Sequence, residues 1–340
     1  MVVLEELLIH PLRRYARLAA GVFVCAVAAL ASGCAAIFPQ TAILREGLPP
    51  GLPQVVELKS VPFFPQVDYQ CGPAALAIVL NNAGDKVTPE ELVPQVFLPA
   101  RQGSLQIEML AAARRHGMVA YQLAPKFTDL LTEIASGTPV IVLQNLGMMF
   151  AGWHYAVAVG YDYDPGVLIL RSGEEERQEM RFFVHEFTWM RGGYWAMVAM
   201  PPDQIPATAD EMRWLAAVAA LERVAGTQRE LLPRARTAYA TFLKRWPRNV
   251  NAAVGLANTH YALGELPAAE AVLREAAGRE PASPVVLNNL AQTLSDLGRD
   301  KEALPIIERA AALPEAASGP FADAIRQTRQ GILDKLRKKN

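Results

Sequence analysis

Cys71 lies in the run Phe64-Pro65-Gln66-Val67-Asp68-Tyr69-Gln70-Cys71-Gly72-Pro73-Ala74-Ala75, and it is the side chain best suited to nucleophilic chemistry. A working thiolate needs a lowered pKa, a base within hydrogen-bond reach and a donor for the oxyanion. The apolar run from Ala74 to Leu80 predicts a buried helix just after the cysteine. Gly72 permits a tight entry and Pro73 suits a first helical turn, which brings the positive end of that helix near the sulfur. Of the five histidines, His154 is the best base. It opens the alternating strand His154-Tyr155-Ala156-Val157-Ala158-Val159-Gly160, a rigid element whose mouth can meet a helix N-terminus. His116 sits at a helix end beside Gly117, His185 in a loosely patterned stretch, His260 inside a helical repeat and His10 in the N-terminal segment. Gln66, shortly before the cysteine, can turn its amide N–H toward the oxyanion position.

The elements that position these groups fall in residues 56–200. Helices are predicted at 72–82, 88–96, 104–116 and 126–135. Thr88-Pro89-Glu90-Glu91 has the N-cap, the N1 proline and the early acids of a helix start. Strands follow at 118–122, 139–143, 154–162, 167–170 and 194–200, with Asp164-Pro165-Gly166 as a hairpin turn. Helices first and antiparallel strands after imply an α+β domain.

Bulk properties set the limits. A chain of 340 residues has room for two domains, and a formal net charge of −1 offers no footprint for nucleic acid. The three cysteines form no metal-ligand spacing, and no cofactor is expected. Arg13, Arg14 and Arg17 precede the apolar stretch Leu18–Ala31, whose 14 residues are too short to span a bilayer comfortably. That pattern is a targeting segment.

Residues 34–55 read as a tether, because Phe38–Val55 carries six prolines or glycines. Residues 201–208 read as a linker. Beyond it, Pro247 and Pro281 lie 34 residues apart, as do Gly264 and Gly298, Ala269 and Ala303, and Ala276 and Ala310. This period resembles tetratricopeptide repeats over 209–317, with 318–340 as the polar-faced cap a solenoid needs.

Two further resemblances bear on function. Leu30-Ala31-Ser32-Gly33-Cys34 resembles the lipobox of bacterial lipoproteins, which implies removal of residues 1–33 and lipidation of Cys34. With Ala35 next, the lean is toward the periplasmic face of the outer membrane. Cys25 would then be lost and Cys34 blocked, leaving Cys71 unpaired in an oxidising compartment. The segments Val61-Pro62-Phe63-Phe64-Pro65-Gln66, Tyr69–Leu76 and Trp153-His154-Tyr155-Ala156-Val157 resemble the C39 family of papain-like cysteine peptidases and its C39-like relatives. The whole chain looks like the lipoprotein members that add C-terminal repeats.

That likeness implies an α+β papain-like domain followed by an all-α tetratricopeptide-repeat solenoid. It also implies Cys71 as nucleophile, His154 as general base and Gln66 as oxyanion donor. The family's orienting Asp falls where this chain reads Leu170-Arg171-Ser172-Gly173, so Ser172, Asp162 and Asp164 are the candidates for that role. The expected activity is peptide-bond cleavage at the envelope, with the repeats recruiting a protein. The alternatives are a non-catalytic peptide-binding scaffold and acyl or amide transfer by the same residues.

Overall fold

The computed structural model describes residues 38–66, 70–147, 152–314 and 318–339. The targeting segment, Cys25 and Cys34 therefore lie outside the described residues. An α+β domain comes first and an array of helices second. Among the described residues, no helix is long and apolar enough to cross a membrane.

The domain is built on β6 (Trp153–Asp162), which is buried from Tyr155 to Tyr161 because packed layers cover both its faces. β5 (Val140–Asn145) and β7 (Val167–Ser172) flank it antiparallel. With β4 (Val119–Gln122), β8 (Glu175–Arg181) and β9 (Ala196–Met200) the order is β4-β9-β5-β6-β7-β8. Beyond the first residue of β5, β1 (Val55–Glu57) pairs with the end of β6, Val56 opposite Tyr161 and Glu57 opposite Gly160. The approach is close: a Cβ on Gly160 would lie 2.5 Å from the Val56 carbonyl oxygen, so only glycine fits.

One face of the sheet packs α2 (Cys71–Asn82), α3 (Pro89–Val96) and α4 (Gln106–Arg115) against Ile141, Val157, Val159 and Met197. Thr88 caps α3 in a full capping box with Glu91. Between α3 and α4, β2 (Phe97–Leu98) and β3 (Gly103–Ser104) form a short ribbon, so Ser104 is a strand residue and not the helix start predicted. The other face packs α5 (Phe127–Ala135) and α6 (Phe182–Arg191) against Val142, Ala156, Leu168 and Val198.

The expected tether is a correction. Residues 39–46 form α1 (Pro39–Glu46), which buries Thr41 and Leu44 on one side. Its Gln40 and Thr41 N–H groups donate to the Glu186 carboxylate at 2.9 and 2.6 Å. Leu44 joins the sheet core and β1 joins the sheet, so the described part of this segment belongs to the domain. Its prolines suggested a loop, but Pro39 stands at the first turn of a helix, where proline is tolerated.

The helical array comprises α7 (Glu211–Thr227), α8 (Leu232–Arg245), α9 (Val250–Ala262), α10 (Leu266–Arg279), α11 (Pro284–Asp296), α12 (Asp300–Ala311) and α13 (Ala322–Lys339). It is not strung loosely on the domain. Trp214, Val218 and Leu221 of α7 and Tyr239 and Phe242 of α8 share one core with the sheet. Tyr121 of β4 meets Trp214 edge-on at 5.5 Å. The segment between the units is held too: buried Glu133 accepts from Thr208 N at 2.7 Å, Thr208 Oγ1 at 2.6 Å and Ala207 N at 3.3 Å.

Candidate active site

Cys71 is the first residue of α2, and Gly72 to Leu80 behind it are buried. This helix is apolar all round because the sheet lies under it and α3 and α4 flank it. Gln70 at its N-cap makes no side-chain cap, and no acid occupies the first turn. The positive helix end therefore faces the sulfur without a counter-charge. Gly72 is required here: a Cβ would fall 2.2 Å from Ser104 Oγ and 2.6 Å from Ser104 Cβ.

Three sequence-predicted groups converge on the start of β6. The backbone of Tyr155, the residue after His154, lies by the thiol and favours its ionised form. Gln66 Nε2 donates to the Tyr155 carbonyl at 3.2 Å, and the Gln66 N–H donates to Gly173 O at 3.0 Å. The Gln66 amide orientation follows from chemistry, since only the NH2 end can face a carbonyl oxygen. One N–H of that group remains for a second acceptor. Gln70, the other glutamine near the cysteine, is the N-cap residue of α2, and its side chain makes no cap hydrogen bond.

His154 Nε2 lies 2.9 Å from Ser172 Oγ on β7. The partner of His154 on β7 is thus a hydroxyl, and it engages Nε2, leaving Nδ1 without a hydrogen bond to Ser172. Asp162 is no partner: it closes the far end of β6, opposite Val55 and Val167. Eight residues of strand separate it from His154, about 26 Å at ~3.3 Å per residue. Asp164 lies beyond it in the turn.

The electrostatics differ from the expectation of a depressed thiol pKa. Burial pushes Cys71 above its ordinary value of 9.0, outweighing the backbone hydrogen bonds from Tyr155, Gly72 and Cys71 itself. Burial also holds His154 below its ordinary 6.5. Both shifts favour the uncharged forms, so the resting pair is thiol and imidazole.

The other histidines are structural. His116 Nδ1 meets Asp85 at 2.6 Å and its Nε2 meets Gln95 at 3.1 Å, tying α3 and α4 to the loop after α2. His260 pairs with Glu265 at 2.6 Å in the helical array. His185 is fully buried, stacked on Trp189, and held neutral with a pKa lowered to about 3 by burial. His10 lies outside the described residues.

Three neighbours of the site had no signal in the sequence reading. Tyr155 Oη donates to Ser104 O at 3.2 Å, which locks β3 against the first turn of α2. Gln144 stands directly opposite His154 in the β5–β6 register and donates to Thr188 Oγ1 at 2.8 Å. Arg171, 3 % exposed, donates to Val61 O at 3.3 Å and so secures the segment that carries Gln66. Their partners are distant in sequence, so only the folded chain reveals them. Among the described residues no group of three or more His, Cys, Asp or Glu side chains is arranged to hold a metal ion.

Comparison with known proteins defines the class. Residues 58–189 match the Peptidase_C39 like family, and residues 223–284 and 285–321 match tetratricopeptide repeat families. Residues 58–189 thus correspond to a C39-like domain, and the helices that follow to tetratricopeptide repeats. Among solved structures it is similar to one described as a C39-like peptidase from Bacillus anthracis, with 18% identity and a TM-score of 0.37 over 43% of this chain and 97% of that one. A double glycine motif protease from an AMS/PCAT transporter, in complex with the leader peptide, gives 19% identity and a TM-score of 0.32 over 41% of this chain and 91% of that one. The TPR2B domain of yeast Sti1 gives 19% identity and a TM-score of 0.32 over 36% of this chain and 98% of that one. No curated protein gives a significant match.

Proposed function

We propose that this chain is a cysteine peptidase of the bacterial cell envelope, held by lipid on Cys34 at the periplasmic face of the outer membrane. Its repeats recruit a protein partner or substrate. The observation that carries the reading is the meeting of Cys71 and Gln66 on the backbone of Tyr155, the residue next to His154.

His154 Nδ1 takes the Cys71 proton as the sulfur attacks the peptide carbonyl carbon, giving a tetrahedral oxyanion and an imidazolium. The free N–H of Gln66 and the Cys71 and Gly72 N–H groups at the start of α2 receive the oxyanion. The imidazolium protonates the leaving amine, the C–N bond breaks, and water hydrolyses the thioester to restore the thiol. Ser172 orients the ring throughout. With a neutral resting pair, proton transfer accompanies attack and does not precede it.

The test is alkylation of the full-length chain at pH 7.5, with modification read on the Cys71 peptide by mass spectrometry. His154→Ala slows labelling at least tenfold; equal rates in the two proteins sink the Cys–His pair. Tritiated palmitate should enter the chain in cells and be lost in Cys34→Ala; retention overturns the anchor.

A second reading is a non-catalytic peptide-binding scaffold. It is favoured by one observation, that His154 faces a hydroxyl where a carboxylate would stabilise its charged form. A Cys71→Ser chain that keeps full cellular function decides for the scaffold.

A further inference from the structure

An open cavity of about 400 Å³ lies at the opposite end of the sheet from Cys71, lined by α1, the β6–β7 turn and the start of α6. Nine residues of chain separate His154 from Tyr163 on its wall, about 30 Å of strand at ~3.3 Å per residue. It is therefore a separate place from the Cys71 cleft.

Its chemistry is mixed in a particular way. Arg45 from the last turn of α1 and Arg181 from the end of β8 both line it. Neither makes an ion pair among the described residues, and the one side-chain hydrogen bond of Arg181 goes to the Pro165 carbonyl. Asp164 also lines the cavity and pairs with neither arginine, so two cations stand against one carboxylate. Thr41, only 5 % exposed, is on the wall, and its Oγ1 has no hydrogen-bond partner. A buried hydroxyl without a partner is uncommon in a folded protein and calls for one.

The N-terminus of α6 opens onto the same space through Phe182 and Phe183, with no side-chain cap and no acid in its first turn. That is a further positive pole. The nearby Glu186 carboxylate does not line the cavity and is engaged by the Gln40 and Thr41 N–H groups. Leu44 and Phe183 supply apolar wall beside the charges.

We infer that this cavity binds an amphipathic organic anion, a phosphate or carboxylate carried on an apolar chain. Arg45, Arg181 and Thr41 Oγ1 hold the anionic group, while Leu44 and Phe183 take the apolar part. The anion comes either from a free small molecule or from a membrane lipid headgroup, and the chemistry of capture is the same for both.

The probe is n-octyl phosphate, titrated into the full chain in non-ionic detergent, with inorganic phosphate and octanol as controls. Octyl phosphate binds more tightly than either control. Arg45→Ala/Arg181→Ala weakens it about tenfold or more, since two charge-assisted contacts are lost. Thr41→Val keeps the shape, removes the hydroxyl and weakens it severalfold. Circular dichroism melts confirm that the variants fold. No binding of octyl phosphate, equal binding of bare phosphate, or full affinity in the folded double variant each overturns the inference. Displacement of the bound probe by phosphatidylglycerol added to the micelles assigns the lipid source, and persistence of the probe assigns a free acid.

Discussion

Replacing Gly72 with alanine tests whether β3 sets the position of the nucleophile. The added Cβ falls 2.2 Å from Ser104 Oγ and 2.6 Å from Ser104 Cβ, with Met109 Sδ next at 3.4 Å. The first two distances are far inside contact, and the third is ordinary packing. Ser104 cannot simply step aside, because its carbonyl is fixed by Tyr155 Oη. The overlap must move β3 or the first turn of α2, at a cost of roughly 1–3 kcal/mol in stability. A displacement of the sulfur by about 1 Å lowers reactivity about a hundredfold. The assay is the rate of Cys71 alkylation at pH 7.5, with a thermal melt alongside. The decisive variant is Gly72→Ala/Ser104→Gly. It removes both clashing atoms and leaves the contact at 3.4 Å, so rate and melting temperature return most of the way. Ser104 Oγ has no hydrogen-bond partner, so Ser104→Gly alone loses only about 0.5–1 kcal/mol, the backbone entropy of glycine. A Gly72→Ala chain that reacts like the wild type, or a double variant no better than the single, refutes the reasoning.

Ser172→Asp places a carboxylate beside the imidazole, raises the His154 pKa by stabilising its charged form and brings Cys71 alkylation down toward the neutral range. The wild-type rate, governed by a thiol pushed above 9.0, keeps climbing past pH 9; identical profiles for the two proteins defeat the assignment of Ser172. Acid should weaken the fold through His185, whose pKa falls from 6.5 to about 3 on folding. The unfolded chain takes the proton below 6.5 and the folded chain does not, so stability drops as pH falls from 6.5 toward 3, by up to about 1.4 kcal/mol per pH unit. Buried His154 contributes with the same sign, and urea titrations of wild type and His185→Phe across that window measure the difference. Trp214→Ala costs about 3–5 kcal/mol and, because Trp214 shares a core with the sheet, exposes Cys71 to alkylation at the same urea concentration that melts the repeats. Separate transitions would show that the two units fold apart.

The parts of the site that local sequence could encode are the parts legible before folding. Cys71, the apolar helix behind it and the strand opening at His154 each carry their own pattern, helical or alternating. The group that orients His154 carries none, because Ser172 reaches it across the β6–β7 pairing, 18 residues away. The same limit hid α1. Its eight residues contain one proline and a single buried face of Thr41 and Leu44, too little periodicity to outweigh the glycines and prolines that follow. His185 lies in a stretch with no clear period, so the sequence does not show which way it faces; burial among Phe127, Trp189 and Gln144 takes it out of consideration. The thiol pKa was misjudged for a related reason. Helix polarity is visible in Cys-Gly-Pro, whereas the desolvation that outweighs it comes from the layers packed around the helix.

The shared core changes what the repeats can do for the site. A solenoid joined by a free linker would leave the distance between its binding surface and Cys71 undefined. Here Glu133 holds residues 207 and 208, Trp214 packs on Tyr121, and α8 sends Tyr239 and Phe242 into the same cluster as Val142 and Val198 of the sheet. The first helical pair thus completes the layer that the sheet needs on the side away from α2. Moving it would expose buried aromatic surface, at about 1.5–3 kcal/mol for each large side chain. On the proposed function, a protein bound on the repeats would be carried at a constant offset from Cys71, and the reach of the site along that partner would be set by the fold and not by diffusion of a tether.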